Sequence, residues 1–295
     1  MEIFLNVIKG MLMGIANIIP GVSGGTMAVS LGVFDQMISA ISNFFSDLKK
    51  SLKILIPILL GMAIGIIGFT YVIEYLLKNQ TLPTCLTFIG LILGGLPVLI
   101  SSFQTSMHKE GKGLSVVNIF LFIAFFAFVI ILSVLNASEE TLTTFSIDPI
   151  TLVKMFFVGV IAAATMVIPG VSGSLILMIL GYYYGILATI REFIDALKAF
   201  NTSILFEKTI ILAPFGIGVL LGIFLISKLI EYLFNHHSVS TYCAILGLII
   251  ASPIAIIINT NAFSAANFSI VRLIIGIILG LAGAFITWGL GNMES

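Results

Sequence analysis

The sequence contains very little charge. Only 9% of its 295 residues are Asp, Glu, Lys or Arg, and thirteen basic side chains balance thirteen acidic ones. No basic block is present, which argues against a nucleic acid as the partner. The two cysteines, Cys85 and Cys243, lie far apart in apolar runs, which excludes a disulfide framework and a CxxC metal or redox pair. The N-terminus lacks the basic region and cleavage site of a signal peptide, so none is expected.

Apolar residues dominate instead. They make up 59% of the chain, and the mean hydropathy is +1.23. Both values lie far outside the range of soluble domains, and they indicate an all-α membrane protein that crosses the bilayer several times. Crossing about 30 Å of hydrocarbon requires a long apolar helix. Six segments are predicted to span once: residues 54–77, 86–100, 116–135, 210–233, 242–258 and 271–290.

Two further apolar regions, residues 3–41 and 150–190, are too long for one span. An unbroken helix over either region would be roughly 60 Å long. Each contains a Pro-Gly pair near its middle, Pro20-Gly21 and Pro169-Gly170, where proline removes a helical donor and glycine permits a turn. The pair divides each region into two helices of about 16 residues, which are short for a crossing. We therefore predict two re-entrant helical hairpins, each with its Pro-Gly turn deep in the membrane.

The chain is an internal duplication. Ile19–Gly24 reads Ile-Pro-Gly-Val-Ser-Gly, and the same six letters recur at Ile168–Gly173. The match continues at the same offset through Gly10 with Gly159 and Gly32 with Gly181. We predict repeats over residues 1–148 and 149–295, each with one hairpin followed by three spans. Because three crossings is an odd number, the second repeat is expected upside down, as in secondary transporters built from inverted repeats.

The distribution of positive charge supports this topology only in part. The first two inter-helix loops of repeat one are expected in the cytoplasm because of Lys49, Lys50, Lys53, Lys109 and Lys112. In repeat two, Arg191 and Lys198 would lie outside if the second hairpin is re-entrant, and in the cytoplasm if it crosses. Charge alone therefore favours eight crossings and parallel repeats, whereas helix length favours hairpins. Acidic neighbours of these cations leave room for an interfacial amphipathic helix.

The two Pro-Gly turns have the parts of an anion site. Glycine lets consecutive backbone amides converge, and the helix after each turn adds its positive end. The hydroxyls that can donate further hydrogen bonds are those of Ser23, Thr26, Ser172 and Ser174, beside the amides of Gly24, Gly25 and Gly173. The alternative is that Pro-Gly makes a tight turn and that small residues only permit close helix packing. Two copies of the motif favour binding at one central site.

Four charged residues are further candidates. Glu74 and Glu231 occupy equivalent positions in the two repeats, where they either bind coupling protons or anchor the helix ends at the interface. Asp35 and Arg191 each follow the second arm of a hairpin, and Arg191 is one of only two arginines. A guanidinium suits bidentate contact with phosphate. We expect Arg191 to meet a ligand or to be a surface charge.

Two other patterns carry structural expectations. The pairs Gly61 with Gly65 and Gly218 with Gly222 are predicted to bring helices close together. The three histidines, His108, His236 and His237, are expected in loops and lack the spacing of a metal site. Neither a catalytic histidine nor a bound metal is therefore expected.

The duplicated Pro-Gly-Val-Ser-Gly turns in a very apolar chain of this length resemble the PopT-type polyprenyl-phosphate transporter family. The segments that carry the resemblance are Asn17–Thr26 and Ile168–Ser174. The family implies translocation of undecaprenyl phosphate, the bacterial cell-wall carrier lipid, across the cytoplasmic membrane for reuse. It implies a lipid partner, no cofactor, and coupling to protons or sodium as an open question. The second turn has Ser174 where the first has Gly25, so the two halves need not contact the ligand equally.

The residues expected to bind substrate come from both turns and one flanking helix: Asn17, Pro20, Gly21, Ser23, Gly24, Gly25, Thr26, Pro169, Gly170, Ser172, Gly173, Ser174 and Arg191. Asp35, Glu74 and Glu231 are the candidates for coupling or gating. Two other functions remain open at this point. One is secondary transport of a small soluble anion, and the other is a membrane phosphatase acting on the same lipid. The phosphatase is the weaker because no nucleophile with a general base and cationic support is visible.

Overall fold

The computed structural model describes residues 2–19, 22–111, 113–135, 145–264 and 268–292, with Glu2 described by its backbone alone. The regular structure of this part of the chain is helical throughout. Its twelve helices are α1 (Glu2–Ala16), α2 (Gly24–Ser30), α3 (Phe34–Ser42), α4 (Leu48–Asn79), α5 (Thr81–Glu110), α6 (Val116–Val134), α7 (Pro149–Val167), α8 (Gly173–Ile179), α9 (Tyr183–Lys198), α10 (Thr202–His236), α11 (Ser238–Thr260) and α12 (Ile270–Asn292).

Seven of the described helices are long and apolar enough to cross a membrane, namely α4, α5, α6, α7, α10, α11 and α12. The prediction of an all-α polytopic membrane protein is confirmed. Five of the seven contain a predicted span and extend beyond it at both ends: α5, for example, has 30 residues and begins at Thr81. The sixth predicted span, 116–135, matches α6 except for its last residue. The prediction that the histidines lie in loops is wrong for two of them, because His108 lies in α5 and His236 is the last residue of α10.

The two predicted hairpin regions each contain three helices, so the expectation of two helices per region is wrong. The second arm is interrupted after seven residues, at the end of α2 and of α8. The cause is a glycine just beyond each helix end, Gly32 with φ +73° and Gly181 with φ +77°. A left-handed residue of this kind terminates a helix, and glycine adopts it without steric cost. The bend between α8 and α9 is 109°.

The first arms also differ from the expected length. α1 has 15 residues, but α7 has 19 and is long enough to cross. The repeat itself is clear in the element order, because α2 and α8 have the same length and begin at residues that match in the duplicated hexamer. The inverted orientation of the two repeats stays a prediction.

The chain divides into two compact units. The first contains Met1–Val134, Ile168–Val171 and Ser227–Ser295, and the second contains Leu135–Val167 and Ser172–Ile226. In the first unit α1 packs on α4, α5 on α12, and α6 on α11. In the second unit α7 packs on α8, and the core lies around Met155, Val158, Ala162 and Leu177. The second Pro-Gly turn therefore belongs to the first unit, although the helix that follows it belongs to the second.

Glycine allows the closest helix contacts in both units. A Cβ on Gly61 of α4 would collide with the backbone carbonyl of Val7 in α1, and one on Gly218 of α10 would collide with that of Phe156 in α7. Gly65 and Gly222 meet the same two helices one turn further on. The predicted role of these glycines in helix packing is confirmed, and it is the same in the two repeats.

Candidate functional site

The first turn is closed by its own polar side chains. α1 ends at Ala16, and the side-chain Oδ1 of Asn17 accepts a hydrogen bond of 2.8 Å from the backbone N–H of Gly24, the first residue of α2. Ser23 caps α2: its extended backbone (φ −115°, ψ 149°) lets its Oγ accept from the N–H of Thr26 at 3.1 Å. The hydroxyls of Ser23 and Thr26 are 2.9 Å apart and hydrogen-bonded. Pro20 and Gly21 lie outside the described residues.

This turn is buried. Every residue from Val22 to Ser30 is buried, with 6% of Ser23 and 0% of Thr26 exposed. Burial of a hydroxyl is costly unless it is hydrogen-bonded, and both hydroxyls are. Gly25 lies between them and is also buried. The first turn is thus a small polar core inside an apolar unit.

The second turn meets the first within the same unit. The backbone N–H of Gly170 donates to Oγ1 of Thr26 at 2.8 Å. Gly170 has φ +79°, and a Cβ there would lie 3.0 Å from the carbonyl oxygen of Leu248, so glycine is required both by conformation and by space. Pro169 immediately precedes it in the same turn. The structure therefore brings the two Pro-Gly motifs together through one side chain, Thr26.

The remaining residues of the second turn lie in the other unit. Ser172 is the N-cap of α8 but makes no side-chain capping bond, and its Oγ is 2.9 Å from Oγ of Ser174. Ser172 and Gly173 are half-buried and Ser174 is exposed. The shared central site expected for the four hydroxyls stays a prediction for this pair.

The polar groups of the first unit have a chemical feature relevant to anions. Three backbone donors, the N–H groups of Gly24, Thr26 and Gly170, each bind a side-chain oxygen. These oxygens are Oδ1 of Asn17, Oγ of Ser23 and Oγ1 of Thr26. Each hydroxyl can also rotate to donate rather than accept. The three backbone donors are therefore paired with protein acceptors in this structure.

Asp35 lies on α3, beside this core. Its Oδ2 accepts a hydrogen bond of 3.0 Å from the Tyr242 hydroxyl of α11. Both side chains line a small cavity of about 60 Å³, together with Ser102 of α5 and apolar residues. Asp35 also borders a larger groove of about 540 Å³, which runs past Asn43 to Lys50 at the start of α4. A titratable group is thus placed where a polar groove meets the buried interior.

Glu74 and Glu231 are equivalent in sequence but not in environment. Glu231 is half-buried, and its carboxylate accepts hydrogen bonds from the Ser42 hydroxyl and from Nδ2 of Asn43, the latter at 2.6 Å. Glu74 is exposed on α4. Glu231 therefore connects the end of α3 with the end of α10, whereas Glu74 is placed like an interfacial anchor.

Arg191 lies on α9 and is exposed, at a distance along the chain from the turn that precedes α8. Its neighbours on the same helix include Glu192, which pairs with Lys208 of α10 at 2.8 Å, and Asp195, which pairs with Lys198 at 3.6 Å. The polar face of α9 fits the amphipathic helix that the sequence left open. Contact between Arg191 and a ligand stays a prediction.

The sequence interpretation missed one residue. Lys9 lies in the middle of α1 and is 0% exposed. The signal was present, because a lysine inside an apolar membrane segment is a functional candidate by default.

Comparisons with known proteins agree with this picture. The profile of a family described as undecaprenyl phosphate translocase-like matches residues 13–272. A polyprenyl-phosphate transporter from Staphylococcus aureus is 31% identical over 99% of this chain and 97% of its own length. A second protein of the same name, from Vibrio cholerae, is 27% identical over 83% of this chain and 74% of its own length. No solved structure matches. With seven apolar helices and bacterial relatives, the chain is a multi-pass protein of the bacterial cell membrane.

Proposed function

We propose, from the premise that this chain belongs to the undecaprenyl phosphate translocase-like family, that it moves a polyprenyl phosphate from one leaflet of the cell membrane to the other. The observation that carries the proposal is the relative named as a polyprenyl-phosphate transporter, with 31% identity over nearly the whole of both chains. Return of the carrier lipid from the outer to the inner leaflet, for reuse in cell-wall synthesis, is the direction we propose.

The chemistry of the substrate explains what the protein must provide. A polyprenyl phosphate has a long apolar tail, which can stay in lipid, and an anionic headgroup, which cannot cross hydrocarbon unaided. The polar groups of the first turn are buried Ser23, Gly24 and Thr26, with exposed Asn17 and half-buried Gly170 beside them, and they offer rotatable hydroxyls and backbone donors. In the open state these groups replace part of the water around the phosphate. Opposed turns are typical of transporters with broken helices.

We propose Asp35 as the coupling residue, if an ion gradient drives transport. Asp35 of α3 borders the polar groove and accepts a hydrogen bond from Tyr242 of α11. Protonation of Asp35 would therefore change a contact between α3 and α11. Glu231, bonded to Ser42 and Asn43, is proposed as a gating contact. An imposed proton gradient should then accelerate exchange in the native protein and not in Asp35→Asn.

Transport without hydrolysis is part of the proposal. The relatives are named as transporters. The polar core contains hydroxyls and amides, but neither of the two arginines of the chain belongs to it. Phosphoryl transfer needs positive charge around the transferred group in addition to a nucleophile.

The test is reconstitution into liposomes with labelled undecaprenyl phosphate in one leaflet, beside protein-free liposomes. The proposal expects the labelled lipid to appear in the other leaflet at a rate that rises with protein content, without release of inorganic phosphate. Phosphate release would identify a phosphatase. Efflux of a trapped soluble anion, with no lipid exchange, would identify the alternative transporter, and either outcome would overturn the proposal.

A further inference from the structure

A buried lysine lies in α1. Lys9 is 0% exposed, near the middle of a 15-residue apolar helix. A lysine in such a position is expensive to bury, and proteins retain one where it meets an anion or moves charge. Arg191, in contrast, is exposed. Lys9 is therefore the better-placed cation for a headgroup inside the protein.

A second polar residue shares its face. Asn6 precedes Lys9 by three residues, so their side chains lie one above the other on the helix. Asn6 is 2% exposed, and among the described residues its Oδ1 has no hydrogen-bond partner. Gly10 and Gly14 of the same helix pack against the backbone of α4 at Ile58 and Met62. The close contact between α1 and α4 is made at these glycines.

The second repeat shows what this face looks like without polar residues. The offset that aligns Gly10 with Gly159 aligns Asn6 with Met155 and Lys9 with Val158. Met155 is 0% and Val158 6% exposed, and both belong to the apolar core of the second unit. The same helix position is therefore filled by ordinary apolar packing in one repeat. The architecture does not require a lysine there, which leaves function as the reason for its cost.

We propose that Lys9, assisted by Asn6, binds the phosphate headgroup at an occluded step of transport. The inference rests on the proposed function, since a phosphate monoester is the anion that such a cycle brings inside. Lys9 lies eight residues before Asn17, the residue that follows the end of α1, which is about 12 Å along the helix axis. One phosphate cannot contact both Lys9 and the turn at Asn17 without moving. The headgroup accordingly has two stations, a neutral one at the turns and a cationic one at Lys9.

The test uses charge-matched variants. Lys9→Met removes the buried cation, and Lys154→Met removes one lysine from the exposed surface of α7, the matching helix of the second repeat. Geranyl phosphate and inorganic phosphate serve as probes of binding, through the ligand-induced rise of the melting temperature. We expect Lys9→Met to weaken geranyl phosphate at least 30-fold, about 2 kcal/mol. Lys154→Met should bind like the native protein, and Lys9→Arg should retain part of the affinity.

The results of these experiments distinguish the proposed transport function from the proposed role of Lys9. They also distinguish a lipid phosphate from free inorganic phosphate as the ligand. A native protein that neither binds geranyl phosphate nor exchanges lipid contradicts the proposed function. A Lys9→Met protein that binds and exchanges like the native one contradicts the role of Lys9 and leaves the function intact. Equal affinity of the native protein for inorganic and geranyl phosphate would make the ligand of Lys9 a free anion, and would overturn the lipid assignment.

One measurement on the native chain decides the matter if Lys9→Met does not fold. In liposomes that exchange lipid, an amine-reactive reagent is applied with and without geranyl phosphate, and the peptide containing Lys9 is followed by mass spectrometry. We expect slow labelling that geranyl phosphate suppresses. Labelling that is unaffected by the ligand would contradict the inference. So would complete resistance of Lys9 in both conditions, because a headgroup must reach it from water.

Discussion

The two repeats share their packing and differ in their polar chemistry. In both repeats, a glycine on the long helix after the hairpin packs directly against the backbone of the first hairpin helix. This glycine is Gly61 in the first repeat and Gly218 in the second. The two turns have the same six-residue sequence. In the first turn, Asn17 accepts a hydrogen bond from the N–H of Gly24, and buried Thr26 accepts one from the N–H of Gly170. At the matching positions the second repeat has Met166 and Leu175. The two repeats thus share their helix packing, but the polar side chains Asn17 and Thr26 of the first turn have apolar counterparts in the second.

The shared packing should be the most sensitive feature to disturb. We expect Gly61→Val and Gly218→Val to abolish accumulation of folded protein, because the new side chain collides with helix backbone and not with a movable side chain. The controls are Gly68→Val and Gly216→Val on the same helices, where a Cβ meets nothing within 4 Å. Membrane abundance and size-exclusion profiles measure the effect. Normal folding of Gly61→Val would show that the repeats are not held in this way.

The next largest effect should come from Thr26. Thr26→Val keeps the shape but removes the acceptor of the half-buried Gly170 N–H and the hydrogen-bond partner of the buried Ser23 hydroxyl. An unsatisfied buried group costs about 1–3 kcal/mol, so the melting temperature in detergent should fall, and lipid exchange with it. Leu175→Val is the control in the second repeat. If both substitutions lower stability and exchange equally, the asymmetry between the turns is not real.

A smaller difference is expected between the two glutamates. Glu231→Gln keeps two acceptor or donor positions but weakens the charge-assisted bonds from Ser42 and Asn43, which should cost on the order of 1 kcal/mol. Glu74→Gln alters an exposed side chain and should change little. Thermal melting of the two variants measures the contrast. A larger loss in Glu74→Gln would reverse the assignment of the gating contact to Glu231.

The smallest effect should be that of Arg191. If it attracts the headgroup at the outer surface, Arg191→Ala should slow lipid exchange several-fold and Arg191→Lys less, since lysine keeps the charge without the bidentate geometry. Lys198→Ala on the same helix is the control, because its surface pair with Asp195 contributes little. Native exchange in Arg191→Ala would remove the residue from the mechanism. Labelling of Asp195→Cys from the cytoplasm would contradict the expected topology.

Sequence alone predicted the class of fold well because apolar length and exact repetition are strong signals. The duplicated hexamer identified the two turns, and glycine spacing identified the helix contacts. The interruption of the second arms was missed, although Gly32 and Gly181 had been matched between the repeats. A glycine in an apolar segment is equally compatible with a helix interior and with a left-handed terminus, and only the backbone angle distinguishes them.

The candidate site was harder to predict, because the type of a residue does not determine its burial or its hydrogen-bond partners. Ser23 and Ser172 have identical neighbours on both sides, yet only Ser23 caps its helix. The Ser23 hydroxyl also bonds to that of Thr26, whereas the counterpart of Thr26 is Leu175 and the Ser172 hydroxyl bonds to Ser174. Glu74 and Glu231 likewise match in sequence, but Glu231 accepts hydrogen bonds from Ser42 and Asn43 at the end of α3, whereas Glu74 is exposed. Lys9 could have been selected from the sequence, because one lysine stands in a long apolar run.

The most direct test of the central claim compares two lipids that share a tail. Leaflet exchange of undecaprenyl phosphate and of the uncharged alcohol undecaprenol is measured in the same liposomes, with and without the protein. Because we assign the buried polar groups to the phosphate, we expect the protein to accelerate leaflet exchange of undecaprenyl phosphate at least tenfold, about 1.4 kcal/mol. We expect no acceleration for the alcohol. Equal acceleration of both lipids, or no acceleration of the phosphate, would contradict that assignment.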